Sequence, residues 1–262
     1  MGTATTCPPD VREAEVPREL AEELASACSP AMDGHQLCEQ SVMAARKVLD
    51  GSAGREVAGQ LAALAGRGAP GPGWAVLRMP SSLDDGQLQQ AGAGLLAALG
   101  RPFFSIRDGG RLWIGGESTP VKDPASFGGT GGQGLHIDAP NVERVPDYTS
   151  LLVLRPDPAG GGQSLIGDLR AAFTGLSGPD RDELSLPAYY EGKAKGLHGT
   201  GAVRMPFPVI DSAGGGRPWI RWAAKMAGDP RNRAHAAVLA RYAAALDEHS
   251  VTVALDRGCL LV

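Results

Sequence analysis

The residues best suited to chemistry in this 262-residue chain are His136 and Asp138, in the run Leu135-His-Ile-Asp138. Successive side chains on a β-strand alternate faces, so residues two apart point the same way. A His-x-Asp pair on a strand therefore sets an imidazole and a carboxylate side by side. On the inner face of a barrel the pair would supply two of the three ligands of a two-histidine, one-carboxylate facial triad. Such a triad holds iron(II) and leaves positions open for oxygen and a co-substrate. The pattern is short, and a polar strand end exposed beside a loop reads the same way.

Arg204 and Arg221 lie in later strand-like runs, Arg221 between Trp219 and Trp222. The planar donor fork of a guanidinium suits a substrate carboxylate, so both are candidate substrate contacts. For Arg221 the alternative is a surface arginine stacked on tryptophan. Gly128-Gly-Thr-Gly-Gly-Gln-Gly134 has the glycine content of a phosphate loop but lacks its Lys-Ser/Thr. It reads instead as part of a lid. The other histidines, His35, His198, His235 and His249, stand alone; His198, in Gly196-Leu-His-Gly-Thr200, is the one most able to complete a different metal centre.

The elements that must position these residues follow from patterning. Residues 11–66 read as helical, with Leu20, Leu24 and Ala27 on one face and Val42, Ala45, Val48 and Leu49 on another. A Gly/Pro linker at Gly66–Gly73 separates this region, 1–72, from a second, 73–262. In the second, Trp74–Met79 reads as a strand, and Ser82 as the N-cap of a helix reaching Leu99. Phe103–Ile106 and Arg111–Ile114 read as strands joined by the Asp108-Gly109-Gly110 turn. The Gly-, Ser- and Pro-rich stretch Gly115–Gly134 is long for a loop and runs into His136, which suggests a mobile lid. Further strands are expected at Thr149–Leu154, Ser164–Ile166, Val203–Arg204, Phe207–Ile210, Trp219–Trp222, Val251–Ala254 and Cys259–Val262. Short and long helices fall at Asp168–Leu176 and Asn232–Glu248, the latter with the stripe Ala234, Val238, Leu239, Tyr242 and Leu246. Helices first, then many short strands, point to a mainly β fold with helical decoration (α+β). A jelly-roll, or double-stranded β-helix, core behind an N-terminal helical region fits this order, and alternating βαβ units do not.

Three segments carry a family resemblance: Gly134-Leu-His-Ile-Asp-Ala-Pro140, Pro146-Asp-Tyr-Thr-Ser-Leu-Leu-Val-Leu154 and Gly160-Gly-Gly-Gln-Ser-Leu-Ile-Gly-Asp168. Together they resemble the taurine dioxygenase and clavaminate synthase superfamily, in which a His-x-Asp/Glu strand precedes a proline-led strand and a Gly-Gly-x-Thr/Ser turn. Gly161-Gly-Gln-Ser164 fits that turn. The resemblance covers roughly Gly73 to Val262. It implies iron(II) held by His136 and Asp138, with 2-oxoglutarate as co-substrate bound partly through the Ser164 hydroxyl. It also implies molecular oxygen and a small, amino-acid-like or acidic substrate, hydroxylated at an unactivated C–H bond. The family places a distal histidine, then an arginine, after a C-terminal Gly-x-Leu-Leu-Val strand. Here Asp256-Arg-Gly-Cys-Leu-Leu-Val262 is the last segment. The expectation is that Val262 is not the natural terminus of an active enzyme and that the chain as it stands turns over little. Two other readings stay open: a relative that keeps the fold as a binding or scaffold domain, and a cupin-type metal-dependent isomerase using His198.

Composition narrows the partners. The formal net charge is −4, and no clustered basic face suggests a nucleic-acid partner. No apolar run approaches the ~20 residues of a membrane span. Met1–Pro9 lacks the basic-then-apolar pattern of a signal peptide, which makes the cytoplasm the expected location. Cys7, Cys28, Cys38 and Cys259 fit neither a zinc pattern nor a CxxC pair and read as reduced thiols.

Overall fold

The computed structural model describes residues 12–28, 34–66 (backbone alone over 34–38), 72–100, 113, 131–143, 145–192, 204–211 and 219–262. In chain order the elements are β1 (Glu13–Glu15), α1 (Arg18–Ala27), α2 (Gly34–Leu49), α3 (Ser52–Ala65), β2 (Val76–Arg78), α4 (Asp85–Leu96), β3 (Leu151–Leu152) and β4 (Ser164–Gly167). They continue with α5 (Leu169–Thr174), α6 (Gly178–Leu184), β5 (Ile210–Asp211), β6 (Trp219–Ile220), α7 (Ala236–Glu248), β7 (Ser250–Val253) and β8 (Cys259–Leu261). Among the described residues helices and short strands are thus mixed, and the longest strands have 4 residues, while α2 has 16. The strands expected at Phe103–Ile106 and Arg111–Ile114 lie outside the described residues, apart from Trp113.

Contacts group the chain into two units that the linker at 66–73 does not separate. One draws on Cys7–Ile114, Asp147–Gln163 and Ala254–Val262; the other on Gly115–Pro146 and Ser164–Val253. The first is built on a sheet of order β1-β2-β8-β3. β1 runs parallel to β2, and β8 is antiparallel to both β2 and β3. β1 lies inside the stretch whose apolar spacing reads as helical; its pairing partner is more than 60 residues away in sequence, so no local pattern announces it. Leu77 and Leu260, on the two central strands, are fully buried. They share a core with Leu20 and Leu24 of α1 and Leu88, Ala91 and Leu95 of α4. α4 starts at Asp84 rather than Ser82. The Asp84 carboxylate accepts from the Gln87 N–H and the Gln87 side chain accepts from the Asp84 N–H, so a reciprocal capping box fixes the start.

The entry to β8 is pinned from two directions. Arg257 donates to the Asp85 carboxylate (2.6 Å) and to the carbonyls of Ser81 and Leu83. The bond from Arg257 also holds the Asp85 carboxyl below its ordinary pKa. Gly258 follows at φ +84°, where a Cβ would stand 2.6 Å from the Met79 carbonyl oxygen.

In the second unit β4 pairs antiparallel with β7, from Ser164 against Val253 to Gly167 against Ser250. Asp168 caps α5 by accepting from the N–H groups of Arg170 and Ala171. α7 buries four residues of the expected stripe, Val238, Leu239, Tyr242 and Leu246; the fifth, Ala234, is exposed in the 3-10 turn Pro230–His235, so the helix begins at Ala236 rather than Asn232. The four buried residues pack with Trp222, Phe207, Tyr189, Leu184 and Met226. Trp222 meets Tyr242 edge to face at 5.1 Å between ring centres. Burial raises the Tyr242 phenol well above its ordinary pKa, and its hydroxyl donates to the Leu169 carbonyl. No helix among the described residues is long and apolar enough to cross a membrane.

Gly258 yields a direct test of the first unit. Gly258→Ala combines a left-handed backbone with a clash against backbone rather than a yielding side chain. It is expected to lower unfolding stability by about 1–3 kcal/mol, read as a shift in denaturation midpoint at unchanged slope.

Candidate metal centre

The run from Trp219 to Ala224 holds the site together because it bonds along both edges. On one edge the Arg221 N–H donates to the Val209 carbonyl (2.7 Å), and β6 pairs with β5. On the other, Ile137 N–H donates to the Trp222 carbonyl (2.9 Å) and Ala224 N–H to the Leu135 carbonyl (3.0 Å). These two bonds make His136 and Ala223 an antiparallel bridge. Leu135–Ile137 is therefore a short strand-like run beside the continuation of β6, as the two-residue period requires. Leu135 packs against the core of this unit. Its neighbours on either side of that alternation are Gly134, which must lie close to Ala224, and His136 on the opposite face. A Cβ on Gly134 would stand 2.5 Å from the Ala224 Cβ.

The His136 ring is oriented by its own backbone. Nδ1 lies 2.8 Å from the Gly134 carbonyl oxygen. A carbonyl only accepts, so in the neutral ring Nδ1 carries the proton and Nε2 the lone pair. That Nε2 is 3.8 Å from Asp138 Oδ1. Two atoms each bonded at about 2.1 Å to one ion are at most about 4.2 Å apart, so the two donors are within reach of one cation. Both side chains are about half exposed, 42% and 51%, so described residues do not enclose them as a barrel interior would.

Beyond Asp138 the chain turns sharply. Ala139 has φ +50°, the left-handed region that a residue with a Cβ seldom occupies. The residues that follow are held by buried polar groups. Arg221 is 3% exposed. Its Nη1 donates to the carbonyls of Pro140 (2.9 Å) and Val142 (2.5 Å), and its Nη2 to that of Glu143 (3.2 Å). Nε and Nη2 reach the buried Asp211 carboxylate at 3.0 and 2.9 Å. Burial draws the Arg221 pKa down, and the Asp211 charge opposes that. Arg204 bonds the same Asp211 oxygen at 2.6 Å, and its N–H donates to the Asn141 carbonyl. The buried Asn141 side chain donates to the Glu191 carbonyl and carboxylate, both at 3.0 Å, and Lys225 ion-pairs with Glu191.

Of the residues singled out from sequence, the structure brings His136 and Asp138 together and sets Arg204 beside the turn that follows them. The Arg221 guanidinium is engaged inside the protein, by four hydrogen bonds and the ion pair with Asp211. Ser164 opens β4, and among the described residues no hydrogen bond joins it to His136 or Asp138; Gly167, three residues along that strand, is the part of β4 that abuts Leu135. His235 pairs with Glu183 at 2.9 Å, and the exposed His249 ends α7. His198, the His35 side chain and positions 115–130 of the expected lid lie outside the described residues, as do Cys7 and the Cys38 side chain. Cys28 and Cys259 are buried, and Cys259 Sγ accepts a hydrogen bond from Arg78. Among the described residues no three His, Cys, Asp or Glu side chains gather into a metal-binding group. Sequence reasoning passed over Asp211, Asn141 and Glu191. The one signal for Asp211 was a carboxylate placed directly after the apolar Phe207–Ile210 run, where a buried charge needs a partner.

The sequence model of the family described as "Taurine catabolism dioxygenase TauD, TfdA family" matches residues 50–262. The chain belongs to this family. No curated protein sequence matches it. Among solved structures, asparagine oxygenase in complex with Fe(II), a 3-hydroxyasparagine and succinate aligns with a TM-score of 0.74 at 24% identity, over 95% of this chain and 84% of that one. The non-heme iron oxygenase OrfP with Fe and alpha-ketoglutaric acid aligns with a TM-score of 0.63 at 18% identity, again over 95% and 84%. This TauD/TfdA-family chain therefore shares its fold with those oxygenases.

The close approach at Gly134 can be tested by compensation. Gly134→Ala is expected to cost about 1–3 kcal/mol through overpacking, and Ala224→Gly in the same chain to restore most of it. A double-mutant cycle in thermal unfolding reads this; additive losses would show that the two backbones can separate freely.

Proposed function

We propose that this chain is an iron(II)- and 2-oxoglutarate-dependent oxygenase that hydroxylates an unactivated C–H bond of a small, amino-acid-like substrate on a jelly-roll core. The observation that carries the reading is the approach of His136 Nε2 to Asp138 Oδ1 at 3.8 Å, at the end of a strand-like run, in a chain of the TauD/TfdA family. A neutral imidazole nitrogen and a carboxylate oxygen suit iron(II). Completing a two-histidine triad requires an imidazole beyond the described residues.

When bound, the iron supplies activation of oxygen coupled to oxidative decarboxylation of 2-oxoglutarate. In the balanced reaction a C–H group, O2 and 2-oxoglutarate give C–OH, succinate and carbon dioxide. The chain's own residues bind and orient. In the neutral ring the Gly134 carbonyl keeps the His136 proton on Nδ1, which leaves the Nε2 lone pair to face the metal. Asp138 contributes the negative charge. The Ser164 hydroxyl binds a carboxylate of 2-oxoglutarate. Arg204, with a side chain 39% exposed and one nitrogen anchored on Asp211, presents its charge to the substrate carboxylate. Amino acids are the substrate class of choice because asparagine oxygenase holds a hydroxyasparagine and OrfP binds L-Arg.

Incubation with Fe(II), 2-oxoglutarate, oxygen and a panel of free amino acids tests the reading, with succinate and a product one oxygen atom heavier as readouts. His136→Ala and Asp138→Ala are expected at background. Arg204→Ala is expected to raise the substrate KM about ten- to a hundredfold, the loss of one charge-assisted hydrogen bond. Succinate formation undiminished in both metal-pair variants would overturn the assignment.

A further inference from the structure

We propose that Arg221, set in place by Asp211, is the positioning residue of the metal centre: it fixes the turn that aims Asp138, so metal affinity depends on a guanidinium that never touches the metal. The inference rests on the reading of His136 and Asp138 as ligands and assigns a further residue to that site.

Register supplies the first reason. His136 bridges Ala223 in antiparallel fashion, so Asp138, two residues on, and Arg221, two residues back, leave the bridge at the same end. Its contacts supply the second. Three of its bonds go to the backbone carbonyls of Pro140, Val142 and Glu143, the residues immediately past the Asp138-Ala139 turn. Carbonyl bonds fix where the chain runs whatever the side chains there are. The third reason is strain. Ala139 at φ +50° occupies a conformation that costs about 1 kcal/mol or more and persists only where the surroundings impose it. The three-carbonyl clamp is such an imposition.

The planar fork of a guanidinium is what makes this possible. A lysine has its donors at one point and cannot span three carbonyls and a carboxylate at once. The guanidinium in turn needs Asp211: a buried cation is tolerated only when paired and fully hydrogen-bonded. The same Asp211 oxygen holds Arg204, whose N–H bonds the Asn141 carbonyl, so both arginines converge on one turn.

Arg221→Lys tests the proposal, with Asp211→Asn as a second variant that preserves shape. Fe(II) affinity of the metal-free protein is measured by anaerobic calorimetry, alongside thermal unfolding and amide hydrogen exchange over 139–143. Both variants are expected to lose Fe(II) affinity, Arg221→Lys by about ten- to a hundredfold, with faster exchange over 139–143 and protection in α7 retained. An arginine that only stabilised the fold would lower the unfolding temperature and leave the affinity of the folded protein unchanged. If Arg221→Lys does not fold, Asp211→Asn decides. His136-dependent Fe(II) binding by the wild type, with affinity unaltered in a folded variant, overturns the positioning role alone. Absent Fe(II) binding, or binding that survives His136→Ala, overturns the metal reading and this proposal together.

Discussion

A guanidinium with 3% of its surface exposed must be neutralised and hydrogen-bonded, or the unit that buries it loses several kcal/mol. Removing one partner of such a pair typically costs about 3–5 kcal/mol. Arg221 satisfies the requirement with the Asp211 carboxylate and three carbonyls. In doing so it ties β5 and β6 to the segment that follows Asp138. The buried cation is therefore also the group that bonds the backbone just past the proposed ligand pair. The backbone ladder from Val209 through Arg221 and Trp222 to Ile137 brings three chain segments into register; the guanidinium then fixes the end of the third.

Local constraints converge on the same few residues. Gly134 gives the approach to Ala224 that any Cβ would obstruct, and its carbonyl sets the His136 tautomer. Ala139 redirects the chain at a conformational cost. Asn141 is buried against Glu191, which Lys225 neutralises. Gly134, Ala139 and Asn141 all lie within five residues of His136, and Glu191 bonds to the last of them. Weak metal pairs on a loose loop would have to spend binding energy on ordering the loop; here the ordering is supplied by folding, which is how a half-exposed His-x-Asp pair can keep its two donors within 3.8 Å.

Much of the pair was readable from spacing, because a two-residue period is a local property and His136-Ile-Asp138 states it outright. The stripe on α7 and the strand at Cys259–Leu261 were readable for the same reason. The resemblance carried by Gly134–Pro140 and Gly160–Asp168 led to the family that the match over residues 50–262 establishes. What escaped was non-local. Nothing around Glu13–Glu15 announces a parallel partner at Val76–Arg78. The boundary drawn at 72/73 treated the helices as a separate region, whereas they share a core with Leu260 near the other end of the sequence. Arg221 was a candidate substrate contact because a guanidinium fork suits a carboxylate; that its fork closes on carbonyls 78 to 81 positions earlier is a consequence of tertiary geometry alone. The Ser82 cap failed for a smaller reason, since Asp84 with Gln87 completes a reciprocal cap that Ser82 cannot.

His136 and Asp138 are the proposed ligands of an iron that also binds 2-oxoglutarate. The most direct measurement is an anaerobic titration of Fe(II) and then 2-oxoglutarate, followed by the visible absorption of the iron–2-oxoacid chelate. The account predicts a band that appears only when both are present in the wild type and is lost in His136→Ala and in Asp138→Ala. A band of equal strength in either variant would contradict it.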